Sequence, residues 1–200
     1  MRDTSKNRGS KSAFTRRAFF KGSSAVAATA ALQGQAALGE DDQGTQVVSG
    51  SQKISLQVNG EEHQVSVEPR DTLLDVLRYQ LDLTGAKPVS SDGSSGASTV
   101  MIDGKPMAAS TMLAVACEGK KIVTVEGLVG DEVPAAFVEH DAQQCGFCTP
   151  GFVVAVRAFL NKNPNASREE IQAGLNGNIC RCGTYANVVE AVVSLAKGGK

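Results

Sequence analysis

Apolar positions repeat with a period of two in the first part of the chain body. Apolar and polar residues alternate over residues 54–58 and again over residues 65–67, with Asn59-Gly60 between them. Alternation places every second side chain on one face of a strand, so this pattern predicts a β-hairpin with a tight turn. Two further apolar stretches, residues 99–102 and 121–125, predict additional strands.

Apolar positions follow helical spacing in one early segment and throughout the C-terminal part. In the early segment, Asp71 is placed to cap a helix whose apolar face lies between residues 73 and 81. Four more helices are predicted after Gly130. They are a helix opened by Pro134 that runs to His140, one from Thr149 to Asn161, one begun by the capping box of Ser167 and Glu170, and one from Ala186 to Lys197.

The order of these elements predicts an α+β fold built from two domains. Residues 52–126 hold strands around one helix, and residues 131–200 form an all-α domain. The 200 residues, 42% apolar and 20% charged, have the composition of a soluble globular protein. The longest weakly apolar run, residues 22–32, is shorter than the roughly 20 residues that cross a bilayer, so no membrane span is predicted.

The first 36 residues differ in charge from the rest of the chain. They hold seven Lys or Arg and one Asp, whereas the remainder has more acidic than basic residues. An acidic body does not attract a phosphate backbone, so nucleic acid is not an expected partner.

The same basic segment has the order of regions found in a signal peptide. Two arginines at 16–17 precede the Phe-Phe-Lys of residues 19–21, and a small-residue cleavage site follows at residues 34–36. The paired arginines resemble the twin-arginine export signal, which carries proteins already folded in the cytoplasm. We therefore expect residues 1–36 to direct export to the periplasm, and residues 37–51, which are polar, to form a flexible lead-in.

Four of the five cysteines occur as two close pairs. Cys145 and Cys148 form a C-x-x-C motif, and Cys180 and Cys182 form a C-x-C motif, each in a turn beside a predicted helix start. Such turns direct backbone N–H groups inward and favour an anionic thiolate centre. The spacing fits a [2Fe-2S] cluster or tetrahedral zinc, and two disulfides are a weaker alternative because C-x-C bridges are strained.

The residues around these cysteines resemble a known family. The stretch 144–151, Gln-Cys-Gly-Phe-Cys-Thr-Pro-Gly, and the stretch 177–185, Gly-Asn-Ile-Cys-Arg-Cys-Gly-Thr-Tyr, are similar to the iron–sulfur subunit of molybdenum hydroxylases, the xanthine dehydrogenase and aldehyde oxidoreductase family. The resemblance implies a four-helix bundle whose [2Fe-2S] cluster lies nearest the molybdopterin. It also implies that the four cysteines are the ligands and that Gln144 faces the pterin. Cys117, in a strand-like stretch, matches no ligand position and is expected to be a small buried apolar residue.

The first half of that family is a β-grasp domain of the plant-type ferredoxin class, with its own cluster. Aligned on the residues that precede the cluster loop, this chain has serine at all four ligand positions, which are Ser90, Ser95, Ser98 and Ser110. A serine hydroxyl stays protonated near neutrality and is not the soft ligand that iron–sulfide requires. We therefore expect one [2Fe-2S] cluster and the loss of the second.

The resemblance implies an electron-transfer subunit of a periplasmic, molybdenum-dependent aldehyde-type oxidoreductase. Its partners would be a large subunit that binds molybdopterin and, where a flavin is the acceptor, a medium subunit that binds FAD. Two alternatives stay open, a cluster-bearing structural subunit without a relay and a zinc-stabilised interaction module. The substrate site is expected on a partner, since no catalytic triad or phosphate loop is present and His63 and His140 are expected to be ordinary surface residues.

Overall fold

Five strands form one sheet in the computed structural model, which describes residues 49–196. They lie in the order β2-β1-β5-β3-β4, with β1 parallel to β5 and every other neighbouring pair antiparallel. The strands are β1 (Gln52–Val58), β2 (Glu61–Val67), β3 (Thr99–Ile102), β4 (Lys105–Ala108) and β5 (Lys121–Val123). The predicted export signal of residues 1–36 and almost all of the predicted lead-in lie outside the described residues.

The sheet confirms the predicted hairpin and the predicted strand at residues 99–102, and it adds one strand. β4 has no alternating pattern, because it is an exposed edge strand that contains Pro106. The strand predicted over residues 121–125 ends at Val123, and a 3₁₀ turn follows at Val125–Leu128. Cys117 is not in a strand but ends a 3₁₀ helix that begins at Ala114, and it is fully buried as expected.

Five α-helices are present within residues 49–196, as the helical spacing predicts. They are α1 (Leu73–Tyr79), α2 (Glu132–Glu139), α3 (Thr149–Lys162), α4 (Arg168–Gly174) and α5 (Tyr185–Leu195). None of them combines the length and apolar character needed to cross a membrane.

The helix caps agree with the sequence in one case and differ in two. The capping box of Ser167 and Glu170 is present at α4. At α1 the cap is Thr72, whose hydroxyl accepts the Asp75 N–H, because the Asp71 carboxylate instead accepts the N–H of Glu68. α2 begins before Pro134, because Asp131 accepts the Val133 N–H and caps the helix there.

Buried apolar side chains form two groups, one on each side of β3. The first lies between the sheet and α1, and Leu56, Leu73 and Leu77 are fully buried in it. The second lies among α2 to α5, with Phe137 and Phe152 at its centre, and it includes Met101 of β3. α3 packs against β3 and β4, so the helical half rests directly on the sheet. The division into domains at residues 126 and 131 stays a prediction.

Candidate metal centre

The first cysteine loop, residues 144–148, connects α2 to α3. Cys145 is exposed, whereas Cys148 is half-buried and occupies the N-cap position of α3. Thr149 and Pro150 follow as the first helical residues, and proline is favoured there because the first helical N–H groups have no intrahelical partner. The side chain of Gln144 is exposed at the start of this loop.

The second cysteine loop, residues 177–183, connects α4 to α5. Cys180 is buried and Cys182 is exposed. The N–H of Cys180 donates to the Tyr185 hydroxyl over 2.7 Å, and the ring of Tyr185 packs edge-on against Phe152 of α3 with centroids 6.1 Å apart. The Cys180 sulfur also accepts the N–H of Thr184 at 3.4 Å and lies 3.2 Å from its hydroxyl. The two loops are therefore held to the same helices.

The four thiols meet as two pairs, each with one sulfur from each loop. Cys145 hydrogen-bonds to Cys182, and Cys148 hydrogen-bonds to Cys180. Each pair thus combines the first cysteine of one motif with the second cysteine of the other. The structure therefore brings the four predicted cysteines together as two pairs. Both loops are needed for this pairing, because the two sulfurs of one motif are not paired with each other.

The environment favours the thiolate at one sulfur of each pair. Burial and the hydrogen bond to Cys180 raise the pKa of Cys148 to about 12. Burial also opposes ionisation of Cys180, but hydrogen bonds from Thr184 and Cys148 outweigh it and lower its pKa to about 7. In this pair, Cys180 therefore ionises more readily than Cys148.

In the exposed pair, Cys145 and Cys182, one pKa is again lowered and the other raised. A backbone hydrogen bond at Phe147, followed by the hydrogen bond to Cys182, lowers the pKa of Cys145. A backbone hydrogen bond with Cys145 lowers that of Cys182, but the side-chain hydrogen bond to Cys145 and burial outweigh it, so its pKa is raised. In both pairs the environment therefore lowers the pKa of one sulfur and raises that of the other.

This donor set fits a binuclear iron–sulfur group better than the two alternatives. All five cysteines are free thiols within residues 49–196, and the hydrogen-bonded sulfurs belong to different motifs rather than to one motif, as the C-x-C and C-x-x-C disulfides would require. Within the same residues, no three His, Cys, Asp or Glu side chains are close enough to share one metal ion, as a single zinc would require. Two thiol pairs can instead supply two soft ligands to each iron of a [2Fe-2S] cluster.

The serine loop, residues 90–98, lies between α1 and β3 and carries three of the four predicted lost ligand positions. The Ser90 and Ser95 hydroxyls are 2.8 Å apart, and the Ser98 hydroxyl lies 3.0 Å from that of Ser110, which follows β4. The structure thus brings all four serines into two hydrogen-bonded pairs. Their hydroxyls are hard, neutral donors, so this site does not fit an iron–sulfur cluster.

Three residues that help to hold the site were not singled out by sequence reasoning. Asn178 is 7% exposed and donates from Nδ2 to the Gly96 carbonyl of the serine loop. Thr184 and Tyr185 hydrogen-bond to Cys180, as described above. All three lie within the stretch that carries the family resemblance, but their partners are visible only in three dimensions. His63 and His140, expected at the surface, are each half-buried.

Comparisons with known proteins converge on one kind of protein. Residues 124–193 match the family described as a [2Fe-2S] binding domain. The chain is 41% identical over 143 residues to the nicotinate dehydrogenase small FeS subunit of Eubacterium barkeri, covering 70% of this chain and 91% of that subunit. It is 36% identical over 201 residues to the aldehyde oxidoreductase iron-sulfur-binding subunit PaoA of Escherichia coli (strain K12), covering 91% and 88%.

Solved structures agree with these relatives. The chain is similar to a crystal structure of quinoline 2-oxidoreductase from Pseudomonas putida 86, with a TM-score of 0.69 and 41% identity over 72% of this chain and 91% of that one. It also matches the aldehyde oxidoreductase of Desulfovibrio desulfuricans, with a TM-score of 0.70 and 38% identity over 74% of this chain. That second match covers only 18% of the larger chain.

Proposed function

Because this chain belongs to the family of small iron–sulfur subunits of molybdenum hydroxylases, we propose that it transfers electrons from a molybdopterin centre on a partner subunit. Cys145, Cys148, Cys180 and Cys182 are the residues that would hold one [2Fe-2S] cluster. When bound, such a cluster accepts and releases single electrons. The chain itself supplies the thiolates, excludes water from Cys180 and orients the loops.

One observation carries this proposal, the meeting of four free thiols from two loops in two pairs. Each pair takes one cysteine from each loop, so a bound group would join the two loops. Hydrogen bonds from Thr184 stabilise negative charge on the Cys180 sulfur, as a metal-bound thiolate requires. Glycine-rich turns beside the starts of α3 and α5 add further N–H groups to an anionic site.

The second cluster of the family is proposed to be lost in this chain. Ser90, Ser95, Ser98 and Ser110 occupy the four positions where cysteines would be needed, and their hydroxyls satisfy one another. One hard ligand among three thiolates is compatible with a cluster, but four are not. Onward transfer from the helical half would therefore lack its usual second relay.

The proposed partner is a large subunit that binds molybdopterin, together with an FAD-binding subunit where a flavin is the acceptor. The exposed side chains of Phe147 and Ile179, one in each cysteine loop, offer apolar surface for the molybdenum subunit, and Gln144 is proposed to face the pterin. An aldehyde is the proposed substrate class, because the aldehyde oxidoreductase subunit aligns over 91% of this chain. We propose a periplasmic location from the paired arginines at residues 16–17.

Metal analysis and spectroscopy of the purified chain test the ligand assignment. We expect about two irons per chain, one reduced paramagnetic signal and the visible absorption of a [2Fe-2S] cluster. Cys148→Ala should abolish all three, because the remaining thiols cannot complete the ligand set. Cys117→Ala is the matched control and should keep them, since Cys117 is buried in the group between the sheet and α1, whereas Cys148 and Cys180 belong to the helical group. Zinc in place of iron, or iron retained in Cys148→Ala, would contradict the proposal.

The serine loop also supports a second function, a structural subunit that stabilises the molybdenum subunit without passing electrons. Turnover of the assembled complex with its acceptor separates the two. A relay requires that Cys148→Ala stop turnover while the complex remains assembled, as judged by size-exclusion chromatography. Unchanged turnover in that assembled complex would favour the structural role.

A further inference from the structure

The serine loop and the second cysteine loop are joined by two direct hydrogen bonds. The N–H of Ile179 donates to the Ser95 carbonyl over 3.0 Å. The Nδ2 of Asn178 donates to the Gly96 carbonyl over 2.9 Å. Cys180 is the next residue after Ile179, so the backbone that leads into the buried sulfur is fixed by the serine loop on one side. Its other side is fixed by Tyr185 and Thr184.

The serine loop also lies in close contact with the second cysteine loop and with the first turn of α3. A Cβ added at Gly96 would collide with the Gly177 carbonyl and with Asn178. A Cβ added at Gly151, in the first turn of α3, would collide with the Gly96 carbonyl. The nearest atoms are backbone carbonyls and the buried side chain of Asn178, so the packing leaves little room for the serine loop to move toward either neighbour.

Hydroxyl groups hold the serine loop in this position. The Ser90 hydroxyl accepts the N–H of Ser95, and the Ser95 hydroxyl accepts the N–H of Ala97. At the far end, Ser98 is 3% exposed and its hydroxyl accepts the N–H of Ser110. The first two contacts fix the turn from Ser90 to Ala97, which contains the carbonyls that receive Asn178 and Ile179, and the third ties Ser98 to Ser110 after β4.

We propose that the serine loop is a metal-free latch for the second cysteine loop and that Asn178 is the positioning residue through which it acts. The latch holds Cys180 in the position from which it pairs with Cys148. The serines would then have a structural use of their own, beyond the absence of a cluster. The proposal rests on the proposed function only where it predicts properties of the bound cluster, and the loop geometry can be tested separately.

Asn178→Ala tests the latch, with Asn176→Ala as its control. Asn176 lies in the same connection but is exposed. In the full chain, we expect the amides of Ile179 and Cys180 to exchange with solvent about tenfold faster in Asn178→Ala than in Asn176→Ala, the change expected when a buried hydrogen bond is lost. Amides within α3 should keep their protection in both variants, which would show that the fold is intact.

A paired change in the serine loop tests the other side of the contact. Ser90→Ala with Ser95→Ala removes the internal hydroxyl bonds, and we expect exchange at Ile179 to accelerate by a similar factor. Ser91→Ala with Ser94→Ala is the control, because both are exposed serines of the same loop. Equal exchange at Ile179 in the paired variant and its control, or in Asn178→Ala and Asn176→Ala, would overturn the latch.

Spectroscopy of iron-loaded protein keeps this proposal distinct from the proposed function. If the chain binds its cluster, Asn178→Ala should shift the paramagnetic signal and release iron to a chelator several-fold faster than Asn176→Ala. An unchanged signal and release rate would overturn the positioning role. A chain that binds no iron at all contradicts the proposed function, whereas the exchange measurements still decide whether the latch exists.

Discussion

At the scale of single residues, Gly151 and Gly96 set the distance between the helical half and the serine loop. Gly151 lies in the first turn of α3, where alanine would ordinarily be preferred by at most about 1 kcal/mol. The Gly96 carbonyl occupies the space that a side chain at this position would need. The close contact therefore requires glycine at position 151, although alanine has the higher helix propensity.

Gly151→Ala is expected to destabilise the protein in spite of its higher helix propensity. Forcing a methyl group against the backbone costs about 1–3 kcal/mol, which exceeds the gain in propensity. Gly177→Ala is the control, because a Cβ there meets no atom within 4 Å. Differential scanning calorimetry should show a lower Tm for Gly151→Ala and little change for Gly177→Ala. A higher Tm for Gly151→Ala would show that the loop moves away freely.

The residue scale also shows what the sequence could predict about the site. Cysteine spacing singled out two motifs whose four sulfurs are candidate ligands of one metal centre, and the structure brings these sulfurs together as two pairs. The spacing did not predict that the pairs cross between the loops. It also did not predict the partner of Asn178, because Gly96 lies 82 residues away in the chain and no local pattern records that contact.

At the scale of elements, Arg157 and Arg168 form ion pairs between neighbouring helices in different surroundings. Arg157 of α3 lies 3.1 Å from Asp131, the cap of α2, and both side chains are about one-fifth exposed, at 18% and 20%. Arg168 of α4 lies 2.8 Å from Glu190 of α5, at 44% and 50%. Water and salt screen the second pair much more than the first.

Arg157→Ala is therefore expected to cost more stability than Arg168→Ala. Removing Arg157 leaves the Asp131 carboxylate without its partly buried counter-charge, a loss of about 1–3 kcal/mol in the free energy of unfolding. Urea denaturation of both variants measures the difference. Adding salt should reduce the small effect of Arg168→Ala further. Equal losses in the two variants would contradict the role assigned to burial.

Element boundaries were predicted less well than element types. The hairpin and the helices have strong periodicity, and their types are correct. β4 was missed because an exposed edge strand with a proline needs no alternating pattern. The start of α2 was predicted too late, because Pro134 was taken as the first helical residue. In the structure, Asp131 is the N-cap and accepts the N–H of Val133.

At the scale of the whole molecule, the four serines proposed to stand in place of cluster ligands lie in two hydrogen-bonded pairs. We expect that changing Ser90, Ser95, Ser98 and Ser110 together to cysteine raises the iron content from about two to about four per chain and adds a second paramagnetic signal. The control changes Ser90 alone to cysteine, which leaves three hard ligands and should keep the iron content at about two. Iron that stays at about two in the fourfold variant would show that the loop cannot admit a cluster.

At the scale of the whole molecule, the packing of the helices on the sheet could not be predicted from the sequence. The α+β class follows from the order of strands and helices, but the way α3 rests on β3 does not, because it depends on Met101 contributing to the helical core. Spacing within one segment carries no information about which face meets another segment. Long-range packing was therefore the part that required the structure.

The strand order has a consequence for how the chain folds. Two hairpins, β1–β2 and β3–β4, form from contacts that are close in sequence, whereas β5 must enter between them and pair Val58 with Ile122. Local hairpins close quickly, and distant pairings close late because of the entropy of the intervening chain. We expect β5 to join last and to complete the sheet on which the helices pack. A nascent chain that ends before Lys121 would hold two hairpins with no common sheet.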